Sequence, residues 1–270
     1  LAVTASPGDV VFFGVDQELA RRFGAANGGA ANFIRESSVS MLPWTQAHGA
    51  SCHDIGLLTA SSPSEAGAEI GLVSRAITQA GLRPVLIGCD HTASIANFVG
   101  APRPMPVAYL YLDAHFDLGF HRERTAIDSG NFVASLLENP AVESVVNIGG
   151  RSWATFHPAY RAVAKFTSVA GRSVDGLAAA LARLEAMPVY VSIDADVLDP
   201  AVADLSCPEP FGMMPREVLA LCDWIGGHCD VVGADLCELI PSRRNIGVAQ
   251  ALMLSLHALF SRGPGRTHLY

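Results

Sequence analysis

Three knots of acidic and imidazole side chains constrain this chain most, because each stands at the end of a short apolar run. "GCDHTAS" (88–94) follows "RPVLI", "DAHFD" (113–117) closes "VAYLYL", and "DADVLD" (194–199) closes "VYVSI". The runs are β-rich and too short for ordinary helices. Longer helical patterns separate them, and a βαβα order argues for a mostly parallel sheet covered by helices on both faces. In an open parallel sheet, ligands bind beyond the carboxyl ends of the strands, where the loops converge. The three knots are therefore expected to meet in one crevice, although more than a hundred residues separate the first from the last.

The remaining elements follow the same alternation. Strands are expected over 9–15 ("DVVFFGV"), 83–88, 106–113, 144–150, 189–194 and 230–238. A capped helix is expected over 61–81, with Ser62 or Ser64 near its start, Ile70, Val73 and Ile77 on one face and Gly81 as its stop. Further helices are expected over 131–139, over 174–187 before Pro188, over 215–227 with a proline in the first turn, and over 245–260. No repeat, low-complexity tract or linker divides the chain, so one domain over 1–270 is expected. The Gly/Pro/Ser-rich stretches 118–130 and 199–215 read as active-site loops.

Composition narrows the partners. Half of the 270 residues are apolar, enough for a large core, and the net charge is −8. There is no basic run, which argues against nucleic acid. No apolar stretch reaches the roughly 18 residues of a membrane span. The opening "LAVTASPGDV" lacks a basic leader pattern, so no secretory signal is expected. Six cysteines lie mostly inside apolar segments, which reads as reduced thiols in a cytoplasmic protein.

In "DAHFD" and "DAD", period two puts alternate side chains on one face of an extended segment. His91, Asp113, His115, Asp117, Asp194 and Asp196 then place four carboxylates and two imidazoles together, which is untenable without cations. Divalent metals satisfy mixed oxygen and nitrogen donors, and the set is too rich in carboxylate for structural zinc. It suits two Mn²⁺ ions per chain sharing aspartates. Asp199, before a proline, reads as a turn-ordering residue, and Asp90 as an acceptor for His91 or for backbone.

These segments resemble the ureohydrolases: arginase, agmatinase, formimidoylglutamase and their relatives. "GCDH", "DAHFD" and "SIDADVLDP" match their three signatures, "NGGAANFIRE" (27–36) resembles a segment near their N-termini, and "SCHDIG" (51–56) and "VVGADLCELIPS" (231–242) fall where the family has strands. The resemblance implies an α/β/α three-layer sandwich with a binuclear manganese centre. It implies that His91 and Asp117 hold one metal, His115 and Asp196 the other, and that Asp113 and Asp194 bridge both. It further implies attack of a metal-bridging hydroxide on a guanidino or amidino carbon, with Glu238 holding the cationic head. "DSGNF" (128–132) is similar to the arginase segment that binds the amino-acid end of the substrate, so Ser129 and Asn131 are expected in substrate binding. The family favours trimers and hexamers, so a homo-oligomer is expected.

Departures from the pattern shape the substrate expectation. Where arginases carry a proton-passing histidine stands Val133, and His121 is the candidate replacement, joining Glu238 and Asp117 as catalytic residues. The acidic pair after "IG-x-R" is replaced by Ser152, Ala154 and His157. Cys89 stands where glycine is usual and is expected either to fill space or to line the metal pocket against an altered substrate. Together these suggest a specialised arginine-type amidinohydrolase, with Nω-hydroxy-L-arginine cleaved to hydroxyurea and L-ornithine in a biosynthetic pathway. Formimidoylglutamase is the rival reading, since "DAHFD" with phenylalanine is common there; it calls for a cation at the distal carboxylate, from Arg122, Arg124 or Arg151. Arginase or agmatinase proper, a single-zinc deacetylase relative and a non-catalytic binder complete the alternatives.

Overall fold

The computed structural model describes residues 5–21, 24, 26–41, 51–103, 105–119, 126–156, 163–169, 182, 184 and 187–261. Its centre is an eight-stranded sheet. The strands are β1 (Val10–Val15), β2 (Cys52–Leu58), β3 (Arg83–Ile87), β4 (Val107–Leu112), β5 (Val142–Ile148), β6 (Phe166–Val169), β7 (Pro188–Asp194) and β8 (Asp230–Cys237). They lie in the order β2-β1-β3-β8-β7-β4-β5-β6, and every pairing between them is parallel.

Burial on both faces explains the unbroken apolar runs. All six residues of β1 and all six of β4 are buried, as expected for central strands covered above and below. Alternate residues serve different layers. Phe12, Leu110, Val191 and Leu236 pack with α1 (Ala30–Ser38), α5 (Pro215–His228) and α6 (Ile246–Leu259). On the other face, Phe13 and Leu86 pack with α2 (Pro63–Gln79) and α3 (Ala93–Gly100), while Tyr109, Tyr111 and Tyr190 pack with α4 (Phe132–Glu138). The result is an α/β/α sandwich. Each fully buried large side chain contributes on the order of 1.5–3 kcal/mol.

The helix ends follow local chemistry. Ser62 caps α2: its hydroxyl accepts the Glu65 N–H at 3.2 Å, while the Glu65 carboxylate accepts the backbone N–H of Ser61 at 2.6 Å. Pro215 opens α5, where the Glu217 carboxylate accepts the Met214 N–H at 2.7 Å. Four elements were not separately read from the sequence as helices or strands by pattern: α1, β2, α3 and β6. The α3 sequence ASIANFVG offers no polar stripe, because it is packed on most sides. The expected helix over 174–187 lies almost wholly outside the described residues. All six cysteines are free thiols, and no helix among the described residues is long and apolar enough to cross a membrane.

The order places β3, β8, β7 and β4 side by side, so the four segments that leave their carboxyl ends share one rim. Behind them, α5 and α6 cross at Gly226. A Cβ there would lie 2.3 Å from the Ala258 carbonyl oxygen and 2.7 Å from that of Leu259. Gly226→Ala is therefore expected to separate the two helices and cost about 1–3 kcal/mol, read as a thermal midpoint lowered by several degrees. An unchanged midpoint contradicts this close packing.

Candidate metal centre

Each acidic knot is held by its own backbone. Asp194 ends β7 and accepts the Asp196 N–H through Oδ1 at 2.7 Å. Asp196 accepts the Ala114 N–H through Oδ1 at 3.0 Å, tying the β7 knot to the β4 knot. Asp113 accepts the His115 N–H through Oδ1 at 2.6 Å. In all three, one oxygen fixes the loop and the other points inward. Asp117 sits in the left-handed region at φ 48°, which aspartate tolerates better than most residues.

The inward atoms converge. His91 Nδ1 lies 3.0 Å from Asp113 Oδ2, 3.1 Å from Asp194 Oδ2 and 3.5 Å from Asp117 Oδ2. His115 Nδ1 lies 2.8 Å from Asp196 Oδ2 and 3.4 Å from Asp113 Oδ1. Two triads result, His91–Asp113–Asp194 and Asp113–His115–Asp196, each with donors within 4.8 Å of one another. Asp113 belongs to both. His91 Nδ1 and Asp113 Oδ2 are buried without a hydrogen-bond partner, a costly state unless a cation lies between them. The donor chemistry and these two orphaned atoms fit a pair of divalent metal ions.

A buried relay orients His91. Its Nε2 lies 2.8 Å from Ser192 Oγ, and that hydroxyl donates to Asp235 Oδ1 at 2.6 Å. With its proton committed to Asp235, Ser192 accepts from His91 Nε2–H, so that a metal replacing the Nδ1 proton would meet the Nδ1 lone pair on the side of the aspartates. Tyr190 donates to Asp235 Oδ2 at 2.6 Å, and Asn97 donates to the Tyr190 oxygen at 2.6 Å. Ser192 and Asp235 are cross-strand partners on β7 and β8. Sequence reasoning passed over both, although an aspartate within the buried strand "VVGADLC" was a signal that a partner lay nearby.

Charge in the cluster is frustrated. Burial, reinforced by neighbouring aspartates, pushes Asp194 well above the usual carboxylate range, raises Asp196, and pushes Asp117 up to about 7. Burial opposes a charged His91, but the adjacent carboxylates of Asp113, Asp117 and Asp194 outweigh it and hold the imidazole well above its ordinary value. Burial likewise opposes a charged His115, and Asp196 and Asp113 prevail. Asp113 is buried too, yet contact with both imidazoles draws it below the usual range. Protons thus take up the role of the missing positive charge.

Other expected residues have varied placements. Glu238 follows β8 at φ 65°; its Oε1 accepts the His91 N–H at 2.9 Å, and its Oε2 accepts from Arg21 at 2.9 Å and Asn27 at 3.2 Å. Burial raises it against the pull of Arg21. Asp90 accepts the Ala20 N–H at 3.2 Å and the Thr92 N–H at 2.9 Å, and Asp199 accepts those of Ala201 and Gly212, both at 2.9 Å. Asn131 uses its amide inside its own loop, accepting from Asp128 N at 3.0 Å and donating to Ala126 O at 2.9 Å. Ser129 donates its N–H to Ala20 O at 3.0 Å, and α4 begins after Asn131 rather than at Ser129.

Two expectations, for Cys89 and for Arg151, need correction. Cys89 is fully buried and its thiol points to the Val15 carbonyl at 3.4 Å, so it fills space at the end of β1 instead of lining the metal pocket. Burial pushes that thiol up to about 12. Val133, in the first turn of α4, is sealed in the aromatic core, while its neighbour Phe132 lies against the His91 ring, with centroids 4.5 Å apart. Arg151 binds the carbonyls of Gly149, Asp196, Leu198, Glu209 and Pro210 at 2.8–3.2 Å, so it is a loop clamp and does not reach for a distal carboxylate. His121, Arg122, Arg124 and His157 lie outside the described residues.

Oxygen and nitrogen donors gathered at the carboxyl ends of a parallel sheet, with a further carboxylate against them, make a candidate binuclear metal site. Comparison with known proteins agrees: the arginase family model matches residues 8–259, and the chain belongs to that family. Formimidoylglutamase of Geobacillus thermodenitrificans (strain NG80-2) is 26% identical over 245 residues, 85% of this chain and 76% of that protein. Mitochondrial arginase 1 of Arabidopsis thaliana is 31% identical over 196 residues, 67% of this chain and 56% of that protein. The fold of Bacillus subtilis arginase superposes with a TM-score of 0.79 at 18% identity, covering 94% of this chain and 99% of that one.

Two outcomes are expected. Metal must displace protons held by Asp117, Asp194, His91 and His115, so divalent affinity should rise with pH through about 7, where Asp117 titrates, and keep rising above it, with proton release seen by calorimetry in buffers of different ionisation enthalpy. A pH-independent affinity speaks against these six donors. Ser192→Ala removes the acceptor for His91 Nε2–H and should weaken metal binding about 10–100-fold, measured by competition with a chelator.

Proposed function

We propose that the chain hydrolyses the amidine C–N bond of a formimidoyl amino acid, with N-formimidoyl-L-glutamate as substrate and formamide and glutamate as products. The observation that carries the hydrolytic reading is the pair of orphaned atoms, His91 Nδ1 and Asp113 Oδ2, buried at the junction of six ligand-type side chains. Hard carboxylate donors with two imidazoles suit manganese. Two such cations held there supply Lewis acidity and a water-derived nucleophile at neutral pH. His91 and Asp117 are assigned to one ion, His115 and Asp196 to the other, with Asp113 and Asp194 shared.

The residues of the chain do the rest. Asp117 is assigned to take a proton from the attacking water. Glu238, whose Oε1 accepts the His91 N–H, lines the pocket beside the amidine end of the substrate. Phe132 excludes water from one side of His91. His121 is assigned the proton for the departing amine, and Ser129 contributes to the wall of the substrate pocket. The enzyme is taken to work in the cytoplasm as a homo-oligomer, as its relatives' family favours.

The choice of substrate rests on two supports. Two relatives that match 85% and 82% of this chain are bacterial formimidoylglutamases, and Phe116 completes the "DAHFD" form common among them. The hydroxyarginine reading drew on Val133 and Cys89; the Cys89 thiol turns to the Val15 carbonyl, and Val133 is buried in the aromatic core. The arginine-binding reading drew on Asn131, whose amide is engaged within its own loop.

The test is a substrate panel on manganese-loaded enzyme: formimidoylglutamate, arginine, Nω-hydroxy-L-arginine, agmatine and guanidinobutyrate. Formamide release is expected to give the highest kcat/KM. Faster release of urea or hydroxyurea rejects the formimidoyl reading in favour of a guanidino one. Asp113→Asn and Asp194→Asn should lose both activity and metal, and normal turnover in either contradicts the shared-ligand assignment.

A further inference from the structure

The carboxylate expected to hold the substrate's cationic head already holds a guanidinium from within the chain. Arg21 Nη1 lies 2.9 Å from Glu238 Oε2 and also donates to Ser206 Oγ. Arg21 Nη2 donates to Asn27 Oδ1, and Nε lies 2.9 Å from Glu18 Oε1. Asn27 in turn donates to Glu238 Oε2 and to the Cys89 carbonyl, at 3.2 and 2.7 Å. With His91 N–H on Oε1, both oxygens of Glu238 are engaged.

This guanidinium is placed, not draped. The backbone leading to it is pinned by the Asp90 carboxylate, which accepts the N–H groups of Leu19 and Ala20. The Ala20 carbonyl accepts from the Thr92 hydroxyl at 3.3 Å and from Ser129 N–H at 3.0 Å. Just beyond it, Gly24 at φ +88° runs so close to the 206–207 loop that a Cβ would lie 2.5 Å from the Ser206 carbonyl oxygen. The Arg21 side chain is 11% exposed.

We propose that Arg21 is the specificity-determining residue of this site. Its guanidinium occupies the Glu238 carboxylate against the head group of free guanidino compounds, and its charge favours substrates that bring carboxylates of their own. A second guanidinium on the same carboxylate meets like-charge repulsion in a dry pocket, which is selection by an unfavourable contact. The formimidoyl head is itself an amidinium and meets the same repulsion, so discrimination lies in the rest of the molecule: arginine and agmatine are net cations, whereas a formimidoyl dicarboxylate brings two carboxylates and is a net anion. This assignment deepens the formimidoyl reading and rests on it for the identity of the favoured substrate.

The test pairs binding with turnover on the manganese-loaded enzyme. Guanidinium chloride and agmatine are titrated by calorimetry into wild type, Arg21→Ala, Arg21→Gln and Arg21→Lys. Arg21→Gln keeps a hydrogen-bonding side chain beside Glu238 and serves if Arg21→Ala fails to fold. Arg21→Ala or Arg21→Gln should bind both ligands at least about tenfold more tightly. The kcat/KM ratio of agmatine to formimidoylglutamate should rise by a similar factor, and added guanidinium should reverse the rise in Arg21→Ala. Arg21→Lys keeps the charge and should hold the wild-type preference. Affinities within about twofold of wild type, at unchanged metal content and thermal midpoint, overturn the assignment. Should wild type cleave agmatine and spare formimidoylglutamate, the formimidoyl reading falls, and the binding titrations still decide the role of Arg21.

Discussion

Crowding of like charge at one rim of the sheet governs this molecule. Asp113, Asp117, Asp194 and Asp196 come within reach of two imidazoles at a site where Asp113, Asp194, Asp196 and His91 are buried and His115 keeps a partly exposed edge. Carboxylates cannot all ionise there without compensation. The fold nonetheless assembles them, because the cost is spread over a sheet whose central strands are buried from end to end. The site is therefore a stored electrostatic demand, met partly by protons and imidazolium in the protein alone and suited to metal cations.

The geometry shows how such a site is kept from collapsing. One oxygen of Asp113, Asp194 and Asp196 is spent on a backbone N–H, so the carboxylates cannot swing away from each other. His91 is fixed from behind by Ser192, Asp235, Tyr190 and Asn97 in a buried line that crosses β7 and β8 and reaches α3. The ligand set and its supports thus come from different strands, and precision depends on the sheet register, not on any single loop. Two non-glycine residues at positive φ, Asp117 and Glu238, mark where the backbone is bent to aim a carboxylate.

Much of this was legible in the sequence, and for a physical reason. Strand-terminal knots such as "DAHFD" read directly because apolar alternation and polar chemistry change at the same residue. The parallel sheet and the helices on both faces followed from the order of the runs. What could not be read were contacts between elements. Arg21 lies in a segment without a clear pattern, and only the tertiary fold brings it over two hundred positions to Glu238. Cys89 adjoins two chemically interesting residues, yet its thiol turns the other way, and a neighbour in sequence says nothing about that rotation. Val133 and α3 were obscured by the same limit, since burial on all sides erases the periodicity that reveals an amphipathic element.

Arg151 carries a consequence for kinetics. One planar guanidinium gathers the carbonyls of Gly149 and of four residues between 196 and 210, and fixes that backbone in advance of any ligand. The ordering entropy of that segment is spent when the chain folds, so an arriving molecule encounters a finished doorway and need not arrange one. Association in such a pocket is governed by diffusion and charge, and the wait falls on departure.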